Sequence, residues 1–205
     1  MITEVIFLLG LGFIVGLSGA LIPGPLLVYT INESLKKGGW TGVKVIVGHM
    51  LVEVAIIMLI AVGLSSLISS PRSSTAISLV GGAMLIYMGV RSFTDAEVEI
   101  NAKKTVSYGL IAGGSFFTAF NPSFPLWWAT AGIRLLMEGY FAMGFFGAFL
   151  VVVGHWIADL GWYALVSYTT ASQARILFER GWYKKLRTIL SITLMLIGLY
   201  FIYSV

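Results

Sequence analysis

The sequence predicts an all-α, polytopic membrane bundle of six transmembrane helices, built as two inverted three-helix repeats. Three observations support this fold class. The 205 residues are 58% hydrophobic and 11% charged, whereas soluble domains are about 45–50% apolar and about 25% charged. The apolar residues fall into six runs long enough to cross a bilayer, which needs about 20 residues per helix. The motif Gly-His-x-x-x-acid occurs twice, at residues 48–53 and 154–159.

The first span is predicted over about residues 5–30, and Pro23-Gly24-Pro25 interrupts it. Because proline removes a backbone donor and clashes with the preceding turn, two prolines around a glycine predict a broken helix. A simple kink with a packing role is the alternative. Small residues before the break recur every four positions, which predicts a close helix contact within the bundle or in a homodimer. These residues are Gly12, Gly16, Ala20 and Gly24.

The second and fifth spans, predicted over about residues 43–68 and 140–168, carry the repeated motif. In each span a histidine and a carboxylate are four residues apart and share one helix face. The two pairs are His49 with Glu53 and His155 with Asp159. Because ionisable groups at membrane depth are costly and usually line a protein interior or a watery path, we interpret both pairs as parts of one polar site. The alternative is two internally satisfied pairs that hold helices together.

The third and sixth spans are predicted over about residues 76–93 and 186–203, and the fourth begins near residue 106. The segment 121–125, Asn-Pro-Ser-Phe-Pro, interrupts the fourth span as the first is interrupted. Arg134 and Glu138 are predicted to mark the next membrane surface. We interpret the chain as one transmembrane domain, residues 1–205, with repeats over about 1–95 and 105–205 and a polar cytoplasmic connector over about 94–105.

Two tryptophans, Trp156 and Trp162, lie deep within the fifth predicted span. Tryptophan and tyrosine usually gather at membrane interfaces, near the ends of spans. These two residues could line the polar site, but the favoured interpretation gives them lipid-facing or packing roles.

The basic residues are unevenly divided between the two ends of the spans. The loops after the first, third and fifth spans carry Lys36, Lys37, Lys44, Arg91, Lys103, Lys104, Arg175, Arg180, Lys184, Lys185 and Arg187. The opposite side carries Arg72 and Arg134. The positive-inside rule therefore places the odd loops in the cytoplasm and both termini outside. Three crossings per repeat invert the second half, and inverted repeats with paired broken helices are a recurring plan of secondary transporters.

The broken helices and the ionisable pairs together predict a site for a small substrate. Half-helix N-termini carry partial positive charge and free N–H groups, so the breaks at 23–25 and 121–125 could hold a substrate carboxylate. Glu53 and Asp159 could bind a substrate ammonium or carry a proton. Each histidine–carboxylate pair could act as a proton relay, since histidine titrates near neutral pH. Asn121 offers both a donor and an acceptor without charge.

The composition argues against several other classes of protein. The chain has no cysteine, which excludes disulfides, thiolate metal sites and dithiol chemistry. Its net charge of +4 does not indicate nucleic-acid binding, because the basic residues lie in short segments between apolar runs. With no room for a soluble catalytic domain, we predict no enzyme activity and no cofactor. A divalent metal-ion exporter that uses the histidines and carboxylates is the main alternative; an intramembrane enzyme or a structural subunit is less favoured.

The segment Gly19-Ala20-Leu21-Ile22-Pro23-Gly24-Pro25 resembles the signature of the LysE/RhtB-type amino-acid exporters. The glycine-rich start of span two, the Asn121-Pro122 break, the chain length and the order of motifs are also similar to that family. The resemblance implies a secondary exporter of amino acids or similar small metabolites, driven by ion exchange, in a prokaryotic cytoplasmic membrane. It implies that Pro23, Gly24, Pro25, Asn121 and Pro122 shape the translocation site and that an acidic residue of span two matters, for which Glu53 is the candidate. We therefore predict export by proton-coupled alternating access, with His49 and His155 assisting Glu53 and Asp159.

Overall fold

The computed structural model describes residues 2–21, 24–63, scattered positions between 72 and 90, 108–121, 123–179 and 182–203. The predicted connector at 94–105 and two predicted site residues, Pro23 and Pro122, lie outside these ranges. Within them the chain is helical, in agreement with the all-α prediction. The helices are α1 Ile2–Ala20, α2 Pro25–Lys37, α3 Thr41–Ala61, α4 Tyr108–Ala119, α5 Ser123–Trp127, a π-helical turn Trp128–Gly132, α6 Ile133–Glu179 and α7 Trp182–Tyr203.

Three of the described helical segments are long and apolar enough to cross a membrane. They are Ile2–Ala20, Thr41–Ala61 and Ser123–Gln173, with mean hydropathies of 2.0, 2.3 and 1.9. Large apolar side chains such as Phe141, Phe145 and Phe149 are exposed on the outside of the bundle. Such a surface is unfavourable in water and favourable in lipid.

The first break separates α1 from α2, as the Pro-Gly-Pro segment predicts. The last amide of α1 is that of Leu21, which donates to the carbonyl of Leu17 at 3.0 Å. Gly24 is extended, with φ −150° and ψ −178°, and Pro25 is the first residue of α2. Proline suits this position because its missing N–H is one that an intrahelical bond would not use. The interrupted span is therefore two separate helices, α1 and α2.

The second break is closed by a side-chain cap. Oδ1 of Asn121 accepts hydrogen bonds from the Ser123 amide at 3.2 Å and from the Ser123 hydroxyl at 2.8 Å. The Asn121 carbonyl also accepts from the Phe124 amide at 3.0 Å. Asparagine is among the best N-cap residues because its side-chain oxygen satisfies a free amide of the first turn. The start of α5 is thus capped from within the chain.

The turn that leads into the fifth span lies later than predicted. Helix α6 continues past Arg134 and Glu138, whose exposed side chains pair at 2.8 Å, and the chain reverses at Met143 and Gly144. Gly144 has φ 64°, a left-handed conformation that glycine adopts without steric cost. A charged pair four residues apart can stay helical at a membrane surface. For this reason the charged pair does not coincide with the turn, and its place at a membrane surface stays a prediction.

Close glycine contacts join α1 to α6. A Cβ atom at Gly12 would overlap the Val151 carbonyl oxygen, and one at Gly154 would overlap the Leu9 carbonyl oxygen. A Cβ at Gly16 would lie 2.7 Å from Nδ1 of His155. The predicted small-residue face therefore packs inside the chain, and a homodimer through another surface stays a prediction.

The same kind of contact joins α3 to α4. A Cβ atom at Gly48 would overlap the carbonyl oxygen of Ile111, and one at Gly114 would overlap that of Val45. Backbones that approach this closely leave no room for a methyl group, as in other membrane helix pairs built on small residues. The two glycines that precede the motif histidines, Gly48 and Gly154, thus allow close contact of α3 with α4 and of α6 with α1.

We expect Gly48→Ala to lower the free energy of unfolding by about 2–3 kcal/mol, because the new methyl group meets backbone that cannot rotate away. The melting temperature of the purified protein in detergent measures this loss. Gly161→Ala is the matched control, since nothing lies within 4 Å of its added Cβ, and it should be neutral or slightly stabilising. Equal melting temperatures for the two variants would contradict this packing.

Candidate functional site

The two repeated motifs meet in one cluster. Helix α3 supplies His49 and Glu53, and helix α6 supplies His155 and Asp159; one ligand-type atom from each lies within 4.8 Å of the other three. Glu53, His155 and Asp159 are 1%, 3% and 2% exposed. Because burying unpaired ionisable groups in an apolar bundle is costly, the groups neutralise one another across the helix interface.

Glu53 is at the centre of the cluster and is surrounded by donors. Its Oε1 lies 2.7 Å from Nε2 of His155 and 3.1 Å from Nε2 of His49. Two indole N–H groups also donate to it, from Trp128 to Oε1 at 3.2 Å and from Trp156 to Oε2 at 2.8 Å. Indole nitrogen can only donate. Both Glu53 oxygens must therefore act as acceptors, which is what an ionised carboxylate does best.

The π-helical turn explains how Trp128 reaches Glu53. One extra residue in the turn Trp128–Gly132 shifts the register of the helix that follows the second break. The Trp128 ring packs over Gly132, where no Cβ could fit, and is only 1% exposed. Single π-helical turns within α-helices are often found at functional sites.

Thr118 fixes the orientation of the His49 ring. The Thr118 hydroxyl donates to the Gly114 carbonyl at 2.8 Å, so it must accept from Nδ1–H of His49, which lies 2.8 Å away. This assigns a proton to Nδ1 and leaves Nε2 facing the two carboxylates. Helix α4 therefore positions an imidazole that belongs to helix α3.

We expect Thr118→Val to lower transport about tenfold and the free energy of unfolding by about 1–2 kcal/mol, because Nδ1–H of His49 loses its acceptor. Transport in proteoliposomes and melting in detergent measure the two effects. Thr169→Val removes a comparable hydroxyl-to-backbone bond, from Thr169 to Leu165 at 2.8 Å, at an exposed position, and serves as control. Thr118→Ser should restore function; full transport by Thr118→Val would show that the hydrogen bond does not matter.

Asp159 is the carboxylate with unused bonding capacity. Its Oδ2 lies 3.3 Å from Nε2 of His155 and 3.6 Å from Nε2 of His49. This oxygen is buried, yet no hydrogen bond reaches it from the described part of the chain. A buried acceptor left in this state is costly and often marks a place where a proton, an ion or a ligand group binds.

Aromatic rings fix His155 from two sides. Trp127 stacks on the imidazole with ring centroids 4.9 Å apart and planes 19° apart. Trp128 meets the same ring edge-on at 5.6 Å. Gly16 closes the third side, and Nδ1 of His155 has no hydrogen-bond partner among the described residues. The Nδ1 side of His155 is therefore held by packing, whereas the Nδ1 side of His49 is held by a hydrogen bond to Thr118.

A cavity of about 60 Å³ lies beside the cluster, and all four ionisable side chains line it. It reaches both breaks, through Gly24 and Leu26 on one side and Asn121 and Ser123 on the other. At about 10–15 Å³ of such volume per water molecule, it has room for roughly four to six waters. The interrupted helices and the ionisable cluster thus line one cavity.

Of the predicted site residues that the structure describes, most line the cavity and one does not. Gly24 and Asn121 line the cavity, while Pro25 is buried at the start of α2. That Asn121 serves a substrate as both a donor and an acceptor stays a prediction, and one contact bears on it. Its side-chain oxygen caps α5 through Ser123, so only its amide N–H groups remain for a ligand.

Sequence reasoning missed two residues that organise the cluster, Thr118 and Trp128, and did not favour a site role for a third, Trp156. The favoured interpretation of Trp156 as lipid-facing or packing was wrong, because its indole donates to Glu53. A usable signal was present, since tryptophan is expected at interfaces and these indoles lie beside the break and beside His155. Trp162 is partly buried, and its indole nitrogen has no partner within the described ranges.

The cluster has a donor set that a divalent metal ion could use. Two imidazole nitrogens and two carboxylate oxygens are present, and the four N–O distances between them run from 2.7 to 3.6 Å. Ligand bonds of about 2.0–2.1 Å in a tetrahedral site put neighbouring ligand atoms about 3.3 Å apart. His49, Glu53, His155 and Asp159 could therefore hold such an ion without large movements.

Apolar helices, two broken helices and a buried ionisable cluster beside a cavity describe a multi-pass membrane protein of the transporter class. The model of the family described as LysE type translocator matches residues 17–205, and the chain belongs to this family. This is a family of small-molecule exporters, so membership also favours a transporter over an intramembrane enzyme. Searches of curated proteins and of solved structures give no match.

Proposed function

We propose that this chain exports amino acids or similar small metabolites by proton-coupled alternating access, with the substrate between the two repeats. The observation that carries the proposal is the unsatisfied Oδ2 of Asp159 in a cavity that also reaches a helix N-terminus. An amino acid has one positive and one negative end. The cavity offers a matching acceptor and a matching set of backbone donors.

The substrate carboxylate binds at the start of α2. Gly24 is the N-cap residue, and no side chain caps this helix. Pro25 has no N–H, so the free donors of the first turn begin at Leu26, which lines the cavity. The helix dipole adds partial positive charge at this end. The start of α5 is already capped by Asn121, so it contributes shape and an amide donor; Pro23 and Pro122 complete the two breaks.

The substrate ammonium binds Asp159, and protons move through the same cluster. Glu53 is held as an acceptor by two indoles and keeps negative charge in the site, whereas Asp159 is able to exchange partners. His49 and His155 contact both carboxylates, so a proton can pass among them as substrate arrives or leaves. Competition between a proton and a substrate ammonium for Asp159 would couple the two movements.

The glycine contacts support two inverted repeats. Gly48 meets Ile111 and the amide of Ser115, while Gly154 meets Leu9 and the amide of Phe13. Adding 106 to the residue number of Gly48 on α3 gives Gly154 on α6. Subtracting 102 from those of Ile111 and Ser115 on α4 gives Leu9 and Phe13 on α1, so the two sets of contacts correspond. A twofold relation that exchanges α1 with α4 and α3 with the second arm of α6 would produce such paired contacts.

The third helices of the two proposed repeats also meet through glycines. A Cβ atom at Gly82 would lie 2.6 Å from the Gly198 carbonyl oxygen, and one at Gly198 would lie 2.6 Å from the Gly82 carbonyl oxygen. We place the lysine- and arginine-rich loops in the cytoplasm, both termini outside, and the protein in the cell membrane, in line with the positive-inside rule. Alternating access would then rock one repeat against the other around the cluster.

The proposal is tested by reconstituting the purified protein into liposomes with an imposed pH gradient and labelled amino acids. We expect accumulation that depends on the gradient and collapses when a protonophore removes it. Divalent metal ions form a separate arm of the same experiment, because the cluster has a suitable donor set. Metal flux without amino-acid flux would overturn the proposal in favour of a metal-ion exporter.

A further inference from the structure

We infer that the substrates are amino acids with small, uncharged side chains and that Phe124 limits their size. This inference rests on the proposed function and narrows it. It follows from which groups in the cavity are already occupied, from the character of the remaining walls and from the available volume.

One carboxylate in the cavity has an oxygen that accepts no hydrogen bond from the described residues. Glu53 and Asp159 are the only carboxylates among the described lining residues. The Glu53 oxygens already accept from the indoles of Trp128 and Trp156 and contact both histidines. Asp159 alone has an oxygen without a hydrogen bond. The site can therefore neutralise one ammonium group. The α-ammonium group of any amino-acid substrate would occupy the Asp159 carboxylate.

The remaining described walls offer no third carboxylate to pair with a second cation. Besides the ionisable cluster, the cavity is lined by Gly19, Ala20 and Leu26, by the rings of Phe124 and Trp127, and by neutral polar side chains such as Ser123 and Tyr163. A lysine or arginine side chain would bring a second positive charge into this space. An unpaired charge in a desolvated pocket is strongly disfavoured, and the neighbouring imidazoles would repel it when protonated. Uncharged side chains meet no such penalty.

The volume restricts substrates further. About 60 Å³ holds roughly four to six water molecules, which suits alanine, serine or threonine better than leucine or phenylalanine. Phe124 is the wall residue most able to set this limit. It is in the first turn of α5 and meets the His49 ring edge-on at 5.6 Å, so its ring closes the space next to the ionisable cluster.

The test measures competition in proteoliposomes that transport labelled alanine. Unlabelled serine and threonine should compete well, and lysine and arginine should compete at least about 100-fold more weakly, as expected for a site that cannot pair a charge. Lysine or arginine competing as well as alanine would overturn the inference while leaving amino-acid export intact. If no amino acid moves at all, the proposed function itself fails, and the inference fails with it.

A pair of variants tests the role of Phe124. We expect Phe124→Ala to improve competition by leucine or phenylalanine relative to alanine by about tenfold or more, because the pocket gains the volume of a ring. Phe120→Ala removes the same ring at a position that stacks on Phe116 and does not line the cavity, and should leave selectivity unchanged. Unchanged selectivity in a folded, transporting Phe124→Ala protein would show that Phe124 does not set the limit.

Discussion

Asp159→Asn is expected to reduce amino-acid transport at least about 100-fold while lowering the free energy of unfolding by no more than about 1 kcal/mol. The transport loss corresponds to about 3 kcal/mol, a reasonable value for removing one charge from a buried pair. The fold survives because asparagine has the same shape and Oδ2 of Asp159 receives no hydrogen bond from the described residues. Both histidines can also release a proton, so no positive charge is left stranded.

Flux in proteoliposomes and melting in detergent, measured on the same preparation, separate these two effects. Glu138→Gln is a suitable control, since Glu138 pairs with Arg134 on the surface and exposed ion pairs contribute little. Asp159→Asn transporting like wild type would remove Asp159 from the site. An unfolded variant would show instead that the carboxylate is structural.

Glu53→Gln is expected to be the most destabilising conservative change in the cluster, by about 3–5 kcal/mol, and to abolish transport. A glutamine side chain has one acceptor and one donor group, whereas both Glu53 oxygens face indole N–H groups. One indole would then point at an N–H group, which leaves a buried donor unsatisfied. Two imidazoles would also lose the charge that they contact.

Thermal denaturation in detergent measures the effect of Glu53→Gln. Glu33→Gln provides the comparison, because Glu33 pairs with Lys36 and Lys37 near the end of α2 and is outside the cluster. That variant should melt within a few degrees of wild type. If Glu53→Gln melts like Glu33→Gln, the donors around Glu53 do not stabilise the fold.

The two carboxylates therefore have different roles although they occupy matching places in the repeated motif. Glu53 is surrounded by donors from helices distant in sequence, while Asp159 keeps an open oxygen. The histidines differ in the same way, since His49 donates to Thr118 and His155 packs against Gly16. Under the proposed repeat relation Thr118 and Gly16 are equivalent positions. A small difference between the repeats thus gives each half of the cluster its own chemistry.

The sequence was enough to predict the broken helices and the cluster. Proline and glycine act locally, so Pro23-Gly24-Pro25 and Asn121-Pro122 revealed interruptions without any knowledge of tertiary structure. Charged residues in apolar runs are rare and costly, and the spacing in each motif placed both members on one helix face. The prediction that the two motifs meet in one site came from recognising that the second motif repeats the first.

Other features depended on contacts between distant segments. The bond from Trp128 to Glu53 joins residues 75 positions apart and needs a π-helical turn to aim the ring. The role of Thr118 depends on how α4 packs against α3. Gly48 allows this packing, because only a residue without a side chain lets the backbone contact Ile111 so closely.

The most direct test of coupled export through this cluster is proton movement driven by an amino-acid gradient. Proteoliposomes containing a pH-sensitive dye would receive an outward alanine gradient with no initial pH difference. We expect protons to move into the vesicles as alanine leaves through the wild-type protein, and neither movement through Asp159→Asn. Alanine flux without proton movement, or proton movement that persists in Asp159→Asn, would contradict the mechanism.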